Sequence, residues 1–253
     1  MTSTNVSVAA FQGQAIYSDI PKALKVIKET LQWAESKGVD ILCFPECYLQ
    51  GYTWSEEISR KVSIELHSAD FKHILEQLHS YKTTVILGVI ERDAEKIYNT
   101  AVVIEKGKLL GKYQKCHIHN KEEFFTCGTA YPIFKKKGIK YGINICYDSR
   151  FPDSTEALAK QGAQVIFSPL NNSLPHAKAD DWKDKHLPYF IEKAKQSGCW
   201  IVTSDVVDNS ETHTGYGCTA LVSPDGKVIE YLEHSKQGNF LRKLSLFENR
   251  SKE

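Results

Sequence analysis

Two residues stand where an α/β chain presents reactive groups, just beyond the carboxyl ends of apolar strands. Glu46 directly follows the run Ile41-Leu42-Cys43-Phe44-Pro45, and Cys146 closes the apolar run at 140–145. After Cys146 a sharp turn at 147–152 leads into a helix opened by Asp153-Ser154-Thr155-Glu156, which has the form of a capping box with Asp153 as cap. A thiol between strand end and helix start is expected to be partly stabilised as thiolate by the amides and dipole there, which would arm it as a nucleophile. Each position also has an ordinary reading. A buried cysteine serves as a small hydrophobe, and a glutamate after proline is a solvated loop residue. Cys43, Cys47, Cys116, Cys127, Cys199 and Cys218 compete with Cys146. Cys116-His117-Ile118-His119 with Cys127 offers zinc-binding side chains but lacks the paired C-x2-C spacing, so no metal is expected.

The elements that must position these groups alternate. Strand-like runs at 6–11, 39–44 and 84–90 are separated by helix-like stretches at 21–36 and 68–81, with Pro21 in the first turn of one helix and Gly38 after its end. Two further runs, 99–105 and 109–113, flank Lys106-Gly107-Lys108 and read as a hairpin; residues 115–137 show no clean period. The second half repeats the plan, with strands at 140–146, 164–168 and 200–204, helices at 154–161 and 184–197, and a closing pair at 217–223 and 227–232 around Pro224-Asp225-Gly226. Residues 37–45 line up with residues 161–169: in both, a helix ends at glycine, a short buried strand follows, and proline stops it. No linker rich in Pro, Gly or Ser parts the halves, so residues 1–253 are expected to form one domain.

Composition narrows the partners. With 32 Lys+Arg against 31 Asp+Glu the net charge is +1, which gives no bulk electrostatic case for nucleic acid or an anionic membrane. The longest strongly apolar run, Val85-Ile86-Leu87-Gly88-Val89-Ile90, is far short of the roughly 20 residues that span a bilayer. The N-terminus carries no basic and apolar leader, and the seven cysteines are an odd number scattered through the chain, as in a reducing compartment. A cytoplasmic protein is expected.

Spacing decides between the readings. Phe44-Pro45-Glu46 with Leu49-Gln50-Gly51-Tyr52, then Tyr98-Asn99-Thr100-Ala101 and Gly111-Lys112-Tyr113-Gln114-Lys115-Cys116-His117, then Cys146-Tyr147-Asp148-Ser149-Arg150-Phe151-Pro152-Asp153, occur in order, followed by Gly217-Cys218-Thr219 and Pro224-Asp225-Gly226. Over nearly its whole length the chain resembles the nitrilase superfamily of carbon-nitrogen hydrolases. The resemblance implies an α/β fold, a four-layer α-β-β-α sandwich with internal pseudo-two-fold symmetry, and a catalytic triad of Glu46, Lys115 and Cys146. It also implies an accessory glutamate after the lysine, Glu122 or Glu123, of which Glu123 is the choice, and self-association as a homodimer or larger assembly. The chemistry fits these side chains: an amide carbonyl needs a strong nucleophile, a base for its proton and a positive group at the developing oxyanion. Glu46 would deprotonate Cys146, and Lys115 with the Tyr147 amide would hold the oxyanion of a thioester-forming step, without a cofactor. True nitrilases carry Trp-Glu after the cysteine where this chain has Tyr147-Asp148, so small amide or N-carbamoyl substrates are expected over nitriles. Tyr52, Trp54, Asn171, Asn172, His176 and Trp182 are placed around the pocket, with residues 170–182 as an irregular, substrate-shaping stretch. The alternative is a catalytically silent small-molecule-binding or scaffold protein of the same fold.

Overall fold

Asp19 accepts the Lys22 amide at 3.0 Å and Pro21 sits in the first turn, so the first helix-like stretch folds as α1 (Ile20–Ser36). The computed structural model describes residues 3–247; residues 1–2 and 248–253, the ends of the expected domain, lie outside the described residues. The first half contributes β1 (Ser3–Gln14), β2 (Ile41–Cys43), α2 (Glu56–Val62), α3 (Ala69–Gln77), β3 (Thr84–Asp93), β4 (Lys96–Glu105) and β5 (Lys108–Gln114). The second contributes β6 (Phe134–Lys136), β7 (Ile139–Ile143), α4 (Pro152–Lys160), β8 (Val165–Pro169), β9 (Leu174–Pro175), α5 (His176–Trp182), α6 (Leu187–Ser197), β10 (Trp200–Ser204), β11 (Val206–Asn209), β12 (His213–Tyr216), β13 (Ala220–Val222), β14 (Val228–Tyr231) and β15 (Gly238–Phe247).

The strands form two sheets whose orders repeat. One runs β5-β4-β3-β2-β1, with β15 beside β1; the other runs β14-β13-β10-β8-β7-β6. Matched strand for strand, β1/β2 and β2/β3 are parallel, as are β7/β8 and β8/β10, and every remaining pair in the two series is antiparallel. The aligned segments 37–45 and 161–169 thus place β2 and β8 at equivalent central positions, which is the pseudo-two-fold symmetry. The first sheet also extends past the end of β1, where Gly13 and Gln14 pair with Val206 and Val207 of β11.

Alternation along the strands gives each sheet two apolar faces. Val8, Ala10, Ile41, Cys43 and Ile86 meet Tyr141, Ile143, Val165, Phe167 and Val202 between the sheets. Leu42, Val85 and Leu87 pack outward on Ala23, Ile27 and Leu31 of α1 and Phe71 of α3, while Ile166, Ile201 and Val222 pack on Leu158 of α4 and Phe190 and Ala194 of α6. The layers are therefore α-β-β-α. No helix among the described residues is long and apolar enough to cross a membrane.

Three local expectations need correction. The helix expected at 184–197 begins only at Leu187, because Pro188 lacks an N–H and cannot continue a turn begun earlier. The stretch 170–182 is irregular only in its first part, since α5 occupies His176–Trp182. Asp153 does not cap α4: Pro152 takes the first helical position, the capping residue is Phe151 and makes no side-chain bond, and Asp153 lies within the first turn.

Candidate active site

Beyond β2 the chain turns across β3, and Gly88 makes that turn possible. A Cβ on Gly88 would stand 2.3 Å from both the Cys47 amide nitrogen and the Pro45 carbonyl oxygen. Glu46, between those two residues, donates its N–H to the Leu170 carbonyl at 3.1 Å. Its Oε1 accepts from Lys115 Nζ at 2.8 Å and from Asn99 Nδ2 at 2.7 Å. Lys115 follows the end of β5 and is pinned through its own backbone, donating to the Asn99 carbonyl at 2.9 Å and accepting from the Gly128 amide at 2.8 Å.

Lys115 Nζ reaches a second carboxylate, Glu122 Oε2, at 3.0 Å, and the Tyr52 hydroxyl donates to Glu122 Oε1. Glu46, Tyr52, Lys115 and Glu122 are all buried. Glu122 ends a 3-10 turn, Asn120–Glu122, whereas Glu123, the expected accessory residue, is exposed and takes no part in the cluster. Burial works against the charge on Lys115, but Glu46 and Glu122 outweigh it and hold its pKa well above the ordinary lysine value. Glu46 is pushed up, by burial first and by the like charge of Glu122, against the pull of Lys115.

Cys146 opens a second 3-10 turn, Cys146–Arg150, with φ at +43°, a left-handed conformation that a non-glycine residue holds only where its surroundings fix it. Asp148 does the fixing from full burial. Its Oδ2 accepts from the Ile145 amide at 2.9 Å and the Tyr113 hydroxyl at 2.7 Å, and its Oδ1 accepts from the His117 amide at 2.9 Å. The thiolate expectation is overturned. Burial and the negative charge of Glu46 raise the Cys146 pKa well above the usual thiol value, outweighing Lys115 and the Asn171 N–H, and α4 begins six residues too late for its dipole to help. The shift favours the thiol over the thiolate.

Cys146, Glu46 and Glu122 line one cavity of 660 Å³, within the size range of small-molecule sites. The carbon-nitrogen hydrolase family matches residues 7–245. The chain belongs to the carbon-nitrogen hydrolase family. A nitrilase of Pyrococcus abyssi is 27% identical over 91% of this chain and 85% of its own, and an omega-amidase of Xenopus laevis is 26% identical over 90% and 84%. A solved mutant of the Nesterenkonia AN1 amidase, of the nitrilase superfamily, shares the fold with a TM-score of 0.81 at 20% identity, covering 96% of this chain and 92% of the other.

The remaining expected residues of this hydrolase separate by position. Tyr52, Trp54, Tyr147, Asn171, Asn172 and Trp182 line the cavity. Tyr52 presents its ring there while its hydroxyl holds Glu122, and Asn172 gives its side-chain amide to Asp205 at 2.7 Å. His176 does not belong: it bonds Thr214 Oγ1 at 2.8 Å and the Glu211 carbonyl at 2.9 Å, outside the cavity lining. Cys116, His117, His119 and Cys127 do not converge. His117 is taken by Asp148 and Cys127 is exposed, and among the described residues no group of three or more His, Cys, Asp or Glu could hold a metal ion. Sequence reasoning assigned no role to Asn99, Asp148, Arg150 or Asp205. The first three lie inside the quoted strings, which was the available signal.

Proposed function

We propose that this hydrolase cleaves the carbon-nitrogen bond of a small amide or N-carbamoyl compound through a thioester on Cys146. The observation that carries the reading is the Glu46 carboxylate, oriented by Lys115 and Asn99 through one oxygen at the wall of the cavity that Cys146 also lines. The other oxygen, Oε2, takes no hydrogen bond among the described residues and is left for proton transfer. A protonated thiol requires such a base, and a raised Glu46 pKa makes it a stronger one.

The steps follow. Glu46 takes the thiol proton as sulfur attacks the carbonyl carbon, and the oxyanion falls to the Lys115 ammonium and the Tyr147 N–H. Glu46 returns the proton to the nitrogen, the carbon-nitrogen bond breaks, and ammonia or amine leaves a thioester on Cys146. Glu46 then removes a proton from water, which attacks the thioester, and the thiol is regenerated as the acid departs. Glu122, held by Tyr52, keeps Lys115 charged and in place. Amides are preferred to nitriles on Tyr147-Asp148 after the nucleophile, a preference that the omega-amidase relative supports. The same reading takes residues 1–253 as one domain that self-associates, which light scattering on the purified protein would register.

Intact mass spectrometry on the protein and on Cys146→Ala, mixed with short-chain amides, dicarboxylic monoamides and N-carbamoyl compounds, tests the chemistry. The expected result is an acyl adduct confined to protein with Cys146, with ammonia released in parallel. Neither adduct nor ammonia across the panel would favour the silent binder; turnover by Cys146→Ala would remove the thioester.

A further inference from the structure

Beside the catalytic cavity lies a second one of 320 Å³, at the lower end of the range for small-molecule sites. The two share a wall, since Tyr52, Trp54 and Asn171 line both. That wall adjoins Glu46. Tyr52 and Trp54 follow Glu46 between β2 and α2, and Asn171 comes directly after Leu170, whose carbonyl takes the Glu46 N–H at 3.1 Å. The Asn171 N–H faces the Cys146 sulfur. Its side-chain Oδ1 accepts from the Ser173 amide at 3.3 Å, while its Nδ2 donates to nothing among the described residues.

The second chamber is lined differently from the first. No Lys, Arg, Asp or Glu lines it, whereas Lys121, Arg150 and Lys178 line the catalytic cavity. Ser18, Thr53, Ser173, Ser210 and Thr212 bring hydroxyl groups to it. Of the seven large hydrophobics exposed among the described residues, three, Tyr17, Trp54 and Ile58, line this one chamber, and such clustering marks a binding surface rather than scattered exposure. Tyr17 is fixed in place: its hydroxyl donates at 2.5 Å to Oδ2 of the buried Asp208, which also takes the Ser173 hydroxyl at 2.6 Å. Aromatic and aliphatic surface beside uncharged hydroxyl groups suits an uncharged ring that itself carries hydroxyls.

We infer that the second chamber holds an uncharged, hydroxyl-bearing ring attached to the scissile nitrogen, so that the hydrolase releases a ring-substituted amine. The inference rests on the amide reading above and names its leaving group. Glu46 delivers the thiol proton to the nitrogen, the carbon-nitrogen bond breaks with its electron pair kept by nitrogen, and the amine departs where the wall of Tyr52 and Asn171 adjoins Glu46. Water then cleaves the thioester as before. Trp182, Tyr189 and Phe190, from α5 and α6, line the catalytic cavity but not the second chamber, which leaves their side for the acyl group.

Calorimetry on the Cys146→Ala protein tests this without turnover. Acetamide, butanamide and benzamide would each be compared with their N-(4-hydroxybenzyl) and N-(4-carboxybenzyl) derivatives. In at least one series the hydroxybenzyl amide is expected to bind about tenfold or more tighter than the primary amide, the gain from burying one ring, and the charged carboxybenzyl amide is expected to show no such gain. Thr212→Trp, which fills the chamber from outside the catalytic cavity, should bring the hydroxybenzyl advantage close to one and leave primary-amide affinity unchanged. Ile58→Ser, a smaller change on the exposed rim, should remove part of the advantage and gives the same reading if the tryptophan variant fails to fold. No hydroxybenzyl advantage in any series, an equal gain from the charged ring, or an advantage that survives these substitutions would overturn the inference. If the hydroxybenzyl amides bind as expected but the active protein frees no amine from them, the amide reading falls and the chamber stands as a ring-binding site.

Discussion

Lys115 meets two carboxylates with one positive charge, and that imbalance sets the reactivity of Glu46. Burial and Glu122 both raise the Glu46 pKa, so the acid limb of kcat/KM should lie above 4.5, the ordinary glutamate value. Glu122→Gln deletes the like charge; the acid limb should then move to lower pH, and kcat should fall about 10- to 100-fold as Lys115 loses a charged hydrogen bond. Glu123→Gln should change neither, because Glu123 is exposed and outside the cluster. A pH-rate profile of the two variants decides, and an acid limb that moves only in Glu123→Gln would reverse the assignment. The choice between these neighbours was not legible in the sequence for a geometric reason. Successive residues of a 3-10 turn point about 120° apart, so a one-residue phase separates the buried carboxylate from the solvated one, and residues 115–137 carry no period to fix that phase. Glu46 and Cys146 were legible because each stands at the end of an apolar run.

At the scale of the element, the turn Cys146–Arg150 is held in its strained form by one buried side chain. Asp148 ties the Ile145 amide to Tyr113 at the end of β5 and to His117 two residues beyond Lys115, so the nucleophile turn and the lysine segment move together. Asp148→Ala would strand the Ile145 and His117 amides and release φ at Cys146, at a cost of about 3 kcal/mol in stability. Asp148 is also the main cause of the raised His117 pKa. In Asp148→Asn the His117 pKa, followed by NMR, should therefore drop while the turn keeps most of its contacts. An unchanged His117 titration would contradict this account of the turn. The sequence showed Asp148 only as the third residue of a string, because two of its partners, His117 and Tyr113, lie 31 and 35 residues away. The same limit applies to helix starts: Asp153 and Glu156 have the form of a capping box, but the fixed φ of Pro152 claims the first turn before that box can form.

Across the whole molecule, the echo of residues 37–45 in 161–169 was enough to expose the repeated half, since both copies are central strands with local signals. β9, β11 and β12 lie outside that echo and gave no such signal, and β15 finds its partner β1 at the opposite end of the chain. Those unread strands meet the second sheet at Asp205, where the chain leaves β10 for β11. Ser204 bonds across to the Phe11 and Cys43 carbonyls at 2.6 and 3.0 Å, and the buried Asp205 carboxylate accepts from the Asn172 amide at 3.0 Å and the Val206 amide at 2.8 Å. Burial raises Asp205 from 3.8 to about 6 despite those donors. The folded protein therefore binds more protons than the unfolded chain between those values. The resulting stabilisation is complete below pH 3.8 and is lost as pH rises through 6, a change of about 3 kcal/mol. Asp205→Asn cannot titrate, so its denaturation midpoints should lack this contribution. Relative to the variant, the natural protein should lose roughly 2 to 2.5 kcal/mol between pH 4 and pH 7, most of the full amount. Any constant offset from altered hydrogen bonds cancels in that difference. Parallel stability curves for the two proteins would show that the sheet crossing is held by an aspartate ionised throughout.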